Sequence, residues 1–290
     1  LNIKLKNIWP DTMIGHRQKL VLAAMIFVLL DGSARVSPSS SQTSLIGIDH
    51  IPTLVADLNQ ADAAYRRLGF ALKAGRVHLN GLRNQHLKFK DGSGIELLSV
   101  PANPTDELTK SYAQFLKQGE GPVYLSFHAR NTESLVAALK TANMGLKNDN
   151  GLITLSDRRL SFIFFVRDNR SPSDKPEHFA HPNGAVAMSE VWLALDAATL
   201  VSLRKLLLAL GSVERTERVE APTHTQAQVF YLQNGRVIVL NQDHQLLPGR
   251  KIIGAGFRVL TSKAKKGGSG PSRQIVKPAQ AHGLWLSLIQ

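Results

Sequence analysis

The sequence predicts an α+β protein assembled from repeated units of a strand, a helix and further strands. Three observations carry this. Short apolar runs of strand length recur, each followed by an Asp or Asn and then by apolar residues at helical spacing. Behind each helix come more short runs, separated by glycine-bearing turns. Two of the unit starts also coincide when overlaid: Ile48-Asp49-His50-Ile51 on Met188-Ser189-Glu190-Val191, with the next helix cap at a similar distance.

The first unit, about 45–100, opens with a strand over 45–54. Asp57 caps a helix, with Gln60 three residues on as in a capping box. Leu58, Ala61, Tyr65 and Leu68 share one face of that helix, and Gly69 stops it. Strands over 70–77, 84–89 and 94–100 follow. A helical connector over 107–117 leads to the second unit, about 122–170. Its first strand covers 123–129, Asn131 caps a helix bearing Leu135, Ala138, Leu139 and Ala142, and strands cover 153–155 and 160–166. The third unit, about 188–260, begins at Met188. Asp196 is its helix cap, Leu200, Leu203, Leu207 and Leu210 lie on one face, and strands cover 229–232, 237–240 and 252–260.

Outside these units the chain changes character. Of the formal charge of +13, residues 1–35 supply +3 and residues 244–290 supply +8, which leaves +2 for everything between. The basic balance therefore belongs to the ends. Lys263, Lys265, Lys266, Arg273 and Lys277 sit among Gly, Ser and Pro, so residues 263–290 read as a flexible basic tail. Such a tail gives weak contact with an anionic surface and no specific nucleic-acid site, since neither a binding motif nor interleaved aromatics accompany it. At the other end, Met13, the basic His16-Arg17-Gln18-Lys19, the apolar run Leu20 to Leu30 and small residues up to Ala34 follow the order of a secretory signal. The reading is upstream read-through over 1–12, a signal peptide over 13–34 cut after Ala34, and a polar linker over 35–44. It implies a periplasmic or secreted protein with no transmembrane span after cleavage. The absence of cysteine removes disulfides, a lipid attachment site and a thiol nucleophile.

Two ionisable residues stand where strands should be apolar: His50 and Glu96. A charged group there is costly unless something pairs with it. The pair is half of a divalent-metal site, an acid/base pair, or two groups that satisfy one another. Arg83 and Asn84 precede a strand and are positioned to hold a polar substrate group, although Asn84 equally suits a turn. Tyr124 and His128 lie at an even offset on one strand and so share a face. Arg158, in a turn, is either an anion contact or a solvated residue. His181 precedes a proline that disfavours helix, which makes it a loop residue at the rim of the site.

Ile-Asp-His-Ile (48–51) running into Val-Ala-Asp-Leu (55–58), then Leu-Gly-Phe (68–70), Gly-Leu-Arg-Asn (81–84), Phe89, Asp91-Gly92 and Glu-Leu-Leu (96–98) resemble the glyoxalase-like proteins of the vicinal oxygen chelate superfamily. His-Pro-Asn-Gly-Ala (181–185) before Val-Trp-Leu (191–193) extends the likeness to about residue 200, and more weakly to 260. The resemblance implies βαβββ modules paired into a curved mixed sheet around a cavity. In metal-dependent members, the first strand of a module supplies a His and the last a Glu. On that pattern His50, Glu96 and Glu190 are the metal ligands, with Glu96 and Glu190 also catalytic and Zn, Fe, Mn or Ni as the ion. The matching position of the second module falls near Tyr124, and the strand over 237–240 has no carboxylate. The implied function is binding or transforming a small oxygen-rich metabolite, as a lyase, isomerase or ring-cleaving dioxygenase. The rival expectations are a ligand-sequestering protein on the same fold, and an envelope-interaction protein acting through the tail.

Overall fold

A computed structural model describes residues 45–129, 131–166, 170–220, 222, 224–260 and 273–290. The expected read-through, signal and linker (1–44) and residues 263–272 of the expected tail lie outside the described residues.

The first unit runs β1 (Leu45–Ile48), β2 (His50–Leu54), α1 (Leu58–Arg67), β3 (Lys73–Val77), β4 (Arg83–Lys88) and β5 (Gly94–Ser99). The Asp57 carboxylate accepts from the N–H groups of Asn59 and Gln60, which satisfies donors that a helix start leaves open. α2 (Glu107–Leu116), capped reciprocally by Asp106 and Thr109, leads to β6 (Gly121–Pro122). The second unit is β7 (Leu125–Ala129), α3 (Thr132–Thr141), β8 (Leu146–Asp149), β9 (Leu152–Leu155) and β10 (Ile163–Val166). The third is β11 (Ala185–Leu195), α4 (Ala197–Ala209), β12 (Val213–Val219), β13 (Thr225–Tyr231) and β14 (Arg236–Asn241). β15 (Ile252–Val259), β16 (Arg273–Val276) and β17 (Trp285–Ile289) complete the described chain.

All three units share one strand order. The first strand pairs parallel with the last, then come the third and the second: β2-β5-β4-β3, β7-β10-β9-β8 and β11-β14-β13-β12. Units one and two join through their first strands, β1 antiparallel to β7 and β2 antiparallel to β6. Asp49 sits at the break between β1 and β2, where its N–H donates to Ser126 O at 2.9 Å. The third unit meets β15 in the same antiparallel way, and β15-β17-β16 repeats the first, last and third strands of a unit. The second sheet is thus one full unit and a reduced one.

This corrects the sequence reading in two places. Residues 273–289 are not flexible tail: β17 lies between β15 and β16, with Leu284, Leu286 and Leu288 buried. The Gly/Ser/Lys run before Arg273 hid the alternation in Trp285-Leu286-Ser287-Leu288-Ile289. The third unit also ends at β14 rather than at 252–260. The strand missing from that reading, β12, is a sheet edge with Glu214, Arg215, Glu217 and Arg218, so no apolar face announces it. β8, with Lys147 and Asp149, escaped for the same reason.

α1, α3 and α4 cover one side of the sheets. Tyr65 of α1, Leu135 and Leu139 of α3, and Leu203, Leu206 and Leu207 of α4 pack into one core with Phe127, Phe165, Val191, Leu193 and Phe257. A fully buried leucine of this kind contributes about 1.5–3 kcal/mol, so the leucine face of α4 is its main anchor, joined by Ser202 on Asp157 and Arg204 on Glu214. The opposite, concave faces differ from one another. In the second sheet that face is filled by Trp192, Val219, Val229, Ile238 and Ile253. In the first, α2 lays Tyr112 over Leu54, Leu82, Leu98 and Val123, and this apolar half adjoins a polar one.

Candidate functional site

The polar half of the first concave face is built from strand alternation. Parallel pairing sets Pro52 of β2 opposite Glu96 of β5, and antiparallel pairing sets His86 of β4 opposite Glu96. His50, Glu96, Asn84 and His86 therefore share one face. His50 Nε2 lies 3.6 Å from Glu96 Oε2, with side-chain exposures of 12% and 18%, so the pair is sheltered yet within reach of a small molecule.

Each member is held from behind. The Asp49 carboxylate bonds Nδ1 of His50, which leaves Nε2 turned toward Glu96. Asn84 Nδ2 donates to Glu96 Oε1 at 2.7 Å, and Arg76 N–H donates to Asn84 Oδ1 at 2.8 Å, which fixes the amide's orientation. Gly75 makes this possible: a Cβ there would stand 2.1 Å from Asn84 O and Oδ1. The result is a chain running Asp49, His50, Glu96, Asn84. The His50 ring rests edge-on against Phe164 of β10, 5.6 Å between centroids, and the Tyr124 ring also meets Phe164, at 6.3 Å.

The electrostatics follow from this packing. Burial alone would lower the His50 pKa, but the Asp49 hydrogen bond and the charges of Asp49 and Glu96 raise it above the ordinary value. Burial would raise the Glu96 pKa, yet His50, His86 and the Asn84 hydrogen bond together hold it below the usual carboxylate range. His86 is pulled down to about 4, by burial first and then by the cations His50, Lys88 and Lys73, against the opposing pull of Glu96. The face thus presents an imidazole whose protonated form is favoured, a carboxylate held ionised and, at neutral pH, a neutral imidazole at His86.

The other expected residues are dispersed. Glu190 is not beside His50. It is buried in the second sheet, where it accepts hydrogen bonds from Arg236 Nη2 at 2.6 Å, Arg273 Nη2 at 2.8 Å and Trp192 Nε1 at 3.1 Å. A carboxylate with both oxygens committed to guanidinium groups has no lone pair to give a metal. His181 is a buried latch rather than a rim residue: Ala71 N–H donates to its Nδ1 and its Nε2 bonds Lys88 O, both at 3.0 Å. Arg83 is exposed on β4. Arg158 is exposed in the turn following Asp157, whose carboxylate accepts from Ser202 of α4. Tyr124 reaches the site, and His128, alternating with the core residue Phe127, occupies the same face of the sheet.

The donor set tests whether a metal fits. His50 and Glu96 are oriented as ligands would be, but the facing unit offers Phe164 and Tyr124. Burial pushes the Tyr124 hydroxyl up to about 12, so it stays protonated. Among the described residues, no three His, Asp or Glu side chains come together to hold an ion. An oxygen-activating iron site takes two His and one carboxylate; His50, His86 and Glu96 share this face, but among the described residues they do not converge to hold an ion. The residues present do not fit a protein-held catalytic metal. Among the described residues, no helix is long and apolar enough to cross a membrane.

Sequence reasoning missed Asp49 and His86. Asp49 adjoins His50, and His86 follows Asn84 by two on the same strand, so alternation was the available signal.

A family model described as "Glyoxalase-like domain" matches residues 48–205, more than half of the chain. No curated protein matches. Among solved structures, a hypothetical protein from Staphylococcus aureus superposes with a TM-score of 0.56 at 12% identity, covering 83% of this chain and 97% of that one. An extradiol ring-cleaving dioxygenase from B. fuscum gives 0.56 at 11%, covering 87% and 74%. A variant of 4-hydroxymandelate synthase from Streptomyces coelicolor gives 0.55 at 13%, covering 85% and 92%. At such identities the likeness is one of fold.

Proposed function

The chain belongs to the glyoxalase-like domain family, and on that footing we propose that it binds a small oxygen-rich molecule between His50 and Glu96 without a protein-held metal. One observation carries the reading: a donor and an acceptor face each other 3.6 Å apart, each oriented by a residue behind it. A carbonyl or hydroxyl oxygen accepts from His50 Nε2–H while an adjacent O–H donates to Glu96. Tyr124 and Phe164 offer ring faces to an apolar portion of the ligand.

The same pair can move a proton. His50 delivers one to a ligand oxygen, and Glu96 takes one from the neighbouring carbon or oxygen, so isomerase or lyase chemistry suits the site better than ring cleavage. A purely sequestering protein would use the same contacts without turnover. The basic tail carries less weight as an envelope contact, since its second half is strand. Export remains part of the proposal and rests on residues 13–34; N-terminal sequencing of the mature protein should begin at Arg35, and retention of residues 13–34 would refute it.

The binding reading is tested by calorimetry with α-hydroxy acids, α-hydroxyketones and catechols in the presence of EDTA. Wild-type protein is set beside His50→Gln and Glu96→Gln. Binding should survive EDTA and weaken in both variants by about tenfold or more, as expected for losing a hydrogen bond to a charged group. Binding that appears only after Zn, Fe, Mn or Ni is added would overturn the metal-free assignment.

A further inference from the structure

A buried arginine with no carboxylate partner among the described residues lies against the end of α2. Arg250, in the loop before β15, is 4% exposed. Its Nη2 donates to Phe115 O at 2.8 Å and Gly119 O at 2.7 Å, the carbonyls at and beyond the end of α2, and its guanidinium lies 3.3 Å from the centre of the Phe115 ring. Nε and Nη1 are buried with no hydrogen-bond partner. No carboxylate among the described residues pairs with it. Glu120, which lies nearby, is spent elsewhere: Oε2 on His282 Nδ1 and Oε1 on Ala56 N–H, both at 2.7 Å. Burial without a compensating negative charge pulls the Arg250 pKa down to about 10.

This arginine lines a cavity of about 360 Å³, near the lower end of small-molecule pockets at about 300–1,000 Å³. Glu120 and Pro122 come from the first half of the chain, and Leu246, Leu247, Ile252, Pro278, Ala279 and His282 from the second. Nη1 lies against Gly121, between Glu120 and Pro122; a Cβ on Gly121 would stand 3.3 Å from it. The cavity therefore combines apolar walls with one cation that has unused donors. A buried unpaired charge is costly, and so are unmade hydrogen bonds to it. An anion that reached Nε or Nη1 from the cavity, both of which are closed off from solvent, would relieve both costs.

We propose that this cavity binds a small monocarboxylate with an apolar body, its carboxylate on Arg250 and its hydrocarbon against Leu246, Leu247 and Ile252. A carboxylate matches the planar guanidinium fork. A phosphate dianion fits less well, because only one cation is offered and Glu120 stands nearby. The site is separate from the His50–Glu96 face and does not depend on the reading given to that face.

Benzoate is a suitable probe and benzyl alcohol its neutral counterpart. Calorimetry on the whole chain should show benzoate binding, with benzyl alcohol weaker by about tenfold or more. Arg250→Gln removes the α2 clamp and so threatens folding. Ala279→Trp, at an exposed rim residue, blocks the cavity while leaving the clamp intact and should abolish binding. His50→Gln should leave it unchanged. No benzoate binding to the folded wild type, equal affinity for benzyl alcohol, or undiminished binding in Ala279→Trp would each overturn the proposal. So would loss of binding in His50→Gln, which would place the probe on the concave face instead.

Discussion

Replacing Glu190 by Gln separates two roles that a buried carboxylate on a first strand can have. As a metal ligand it would contribute little to stability once the ion is removed. As the structure has it, Glu190 is the one acceptor among the described residues that Arg236, Arg273 and the Trp192 indole share. The amide keeps the shape but turns two donors of its own toward guanidinium groups that also only donate. Removing one partner of a buried ion pair costs about 3–5 kcal/mol. Arg236 and Arg273 retain 25% and 13% of their side-chain exposure, which places the expected loss near the lower end, about 3 kcal/mol. That is a large part of the about 5–15 kcal/mol holding a typical domain. Urea unfolding in EDTA, followed by far-UV circular dichroism, reads the change directly. The loss should also depend on pH. Burial tends to raise the Glu190 pKa, but Arg273 and Arg236 hold it below the usual range. The stabilisation is therefore complete above the unfolded carboxyl pKa and disappears as pH falls through the folded one, so wild type and variant converge in acid. A difference below about 1 kcal/mol at pH 7, where isolated exposed ion pairs fall, would refute the reasoning.

Three further outcomes are expected. His86 has a folded pKa of about 4 against an unfolded value of about 6.5. Folding favours its neutral form, and that stability is present above the unfolded pKa and lost as pH falls toward the folded one. Between pH 7 and pH 5 the wild type should lose about 2 kcal/mol relative to His86→Gln; parallel urea curves at the two pH values would count against a buried neutral imidazole. Asn84→Ala removes hydrogen bonds to Glu96 and from Arg76, and should cost about 1–2 kcal/mol while raising the Glu96 pKa, visible by carboxyl NMR titration; an unmoved Glu96 would exclude Asn84 as its support. Deleting residues 273–290 strips β16 and β17 from β15, and should abolish cooperative unfolding of the second sheet; an unchanged melting curve would restore the flexible-tail reading.

What the sequence could reveal followed from apolar periodicity. The caps Asp57, Asn131 and Asp196 and the leucine face of α4 stand where spacing put them. The repeat was legible because each unit starts with an apolar strand and a capped helix. Edge strands such as β12 were not, since a strand with polar residues on both faces has no period to detect. Site residues divided along a similar line. His50 and Glu96 were conspicuous as polar residues in apolar strands, and the fold brings them together. Glu190 was conspicuous for the same reason, but pattern alone cannot distinguish a ligand from an ion-pair acceptor. That distinction rests on Arg273, 83 residues away in sequence, and only the pairing of β15, β16 and β17 brings it near.

The charged character of the edge strands has a consequence for encounters between copies of the chain. Among the described residues the sheets stay open, and β3, β8, β12 and β16 each stand at a sheet edge. Each is a template for strand addition. Lys73 and Arg76 stand on one, Lys147 and Asp149 on another, Glu214, Arg215, Glu217 and Arg218 on the third and Arg273 on the fourth. A second chain docking there would have to strip water from those charges before its backbone could pair. Charge along these edges therefore opposes strand addition without barrel closure, and in β8 and β12 the same residues hid the strand from a hydrophobic reading.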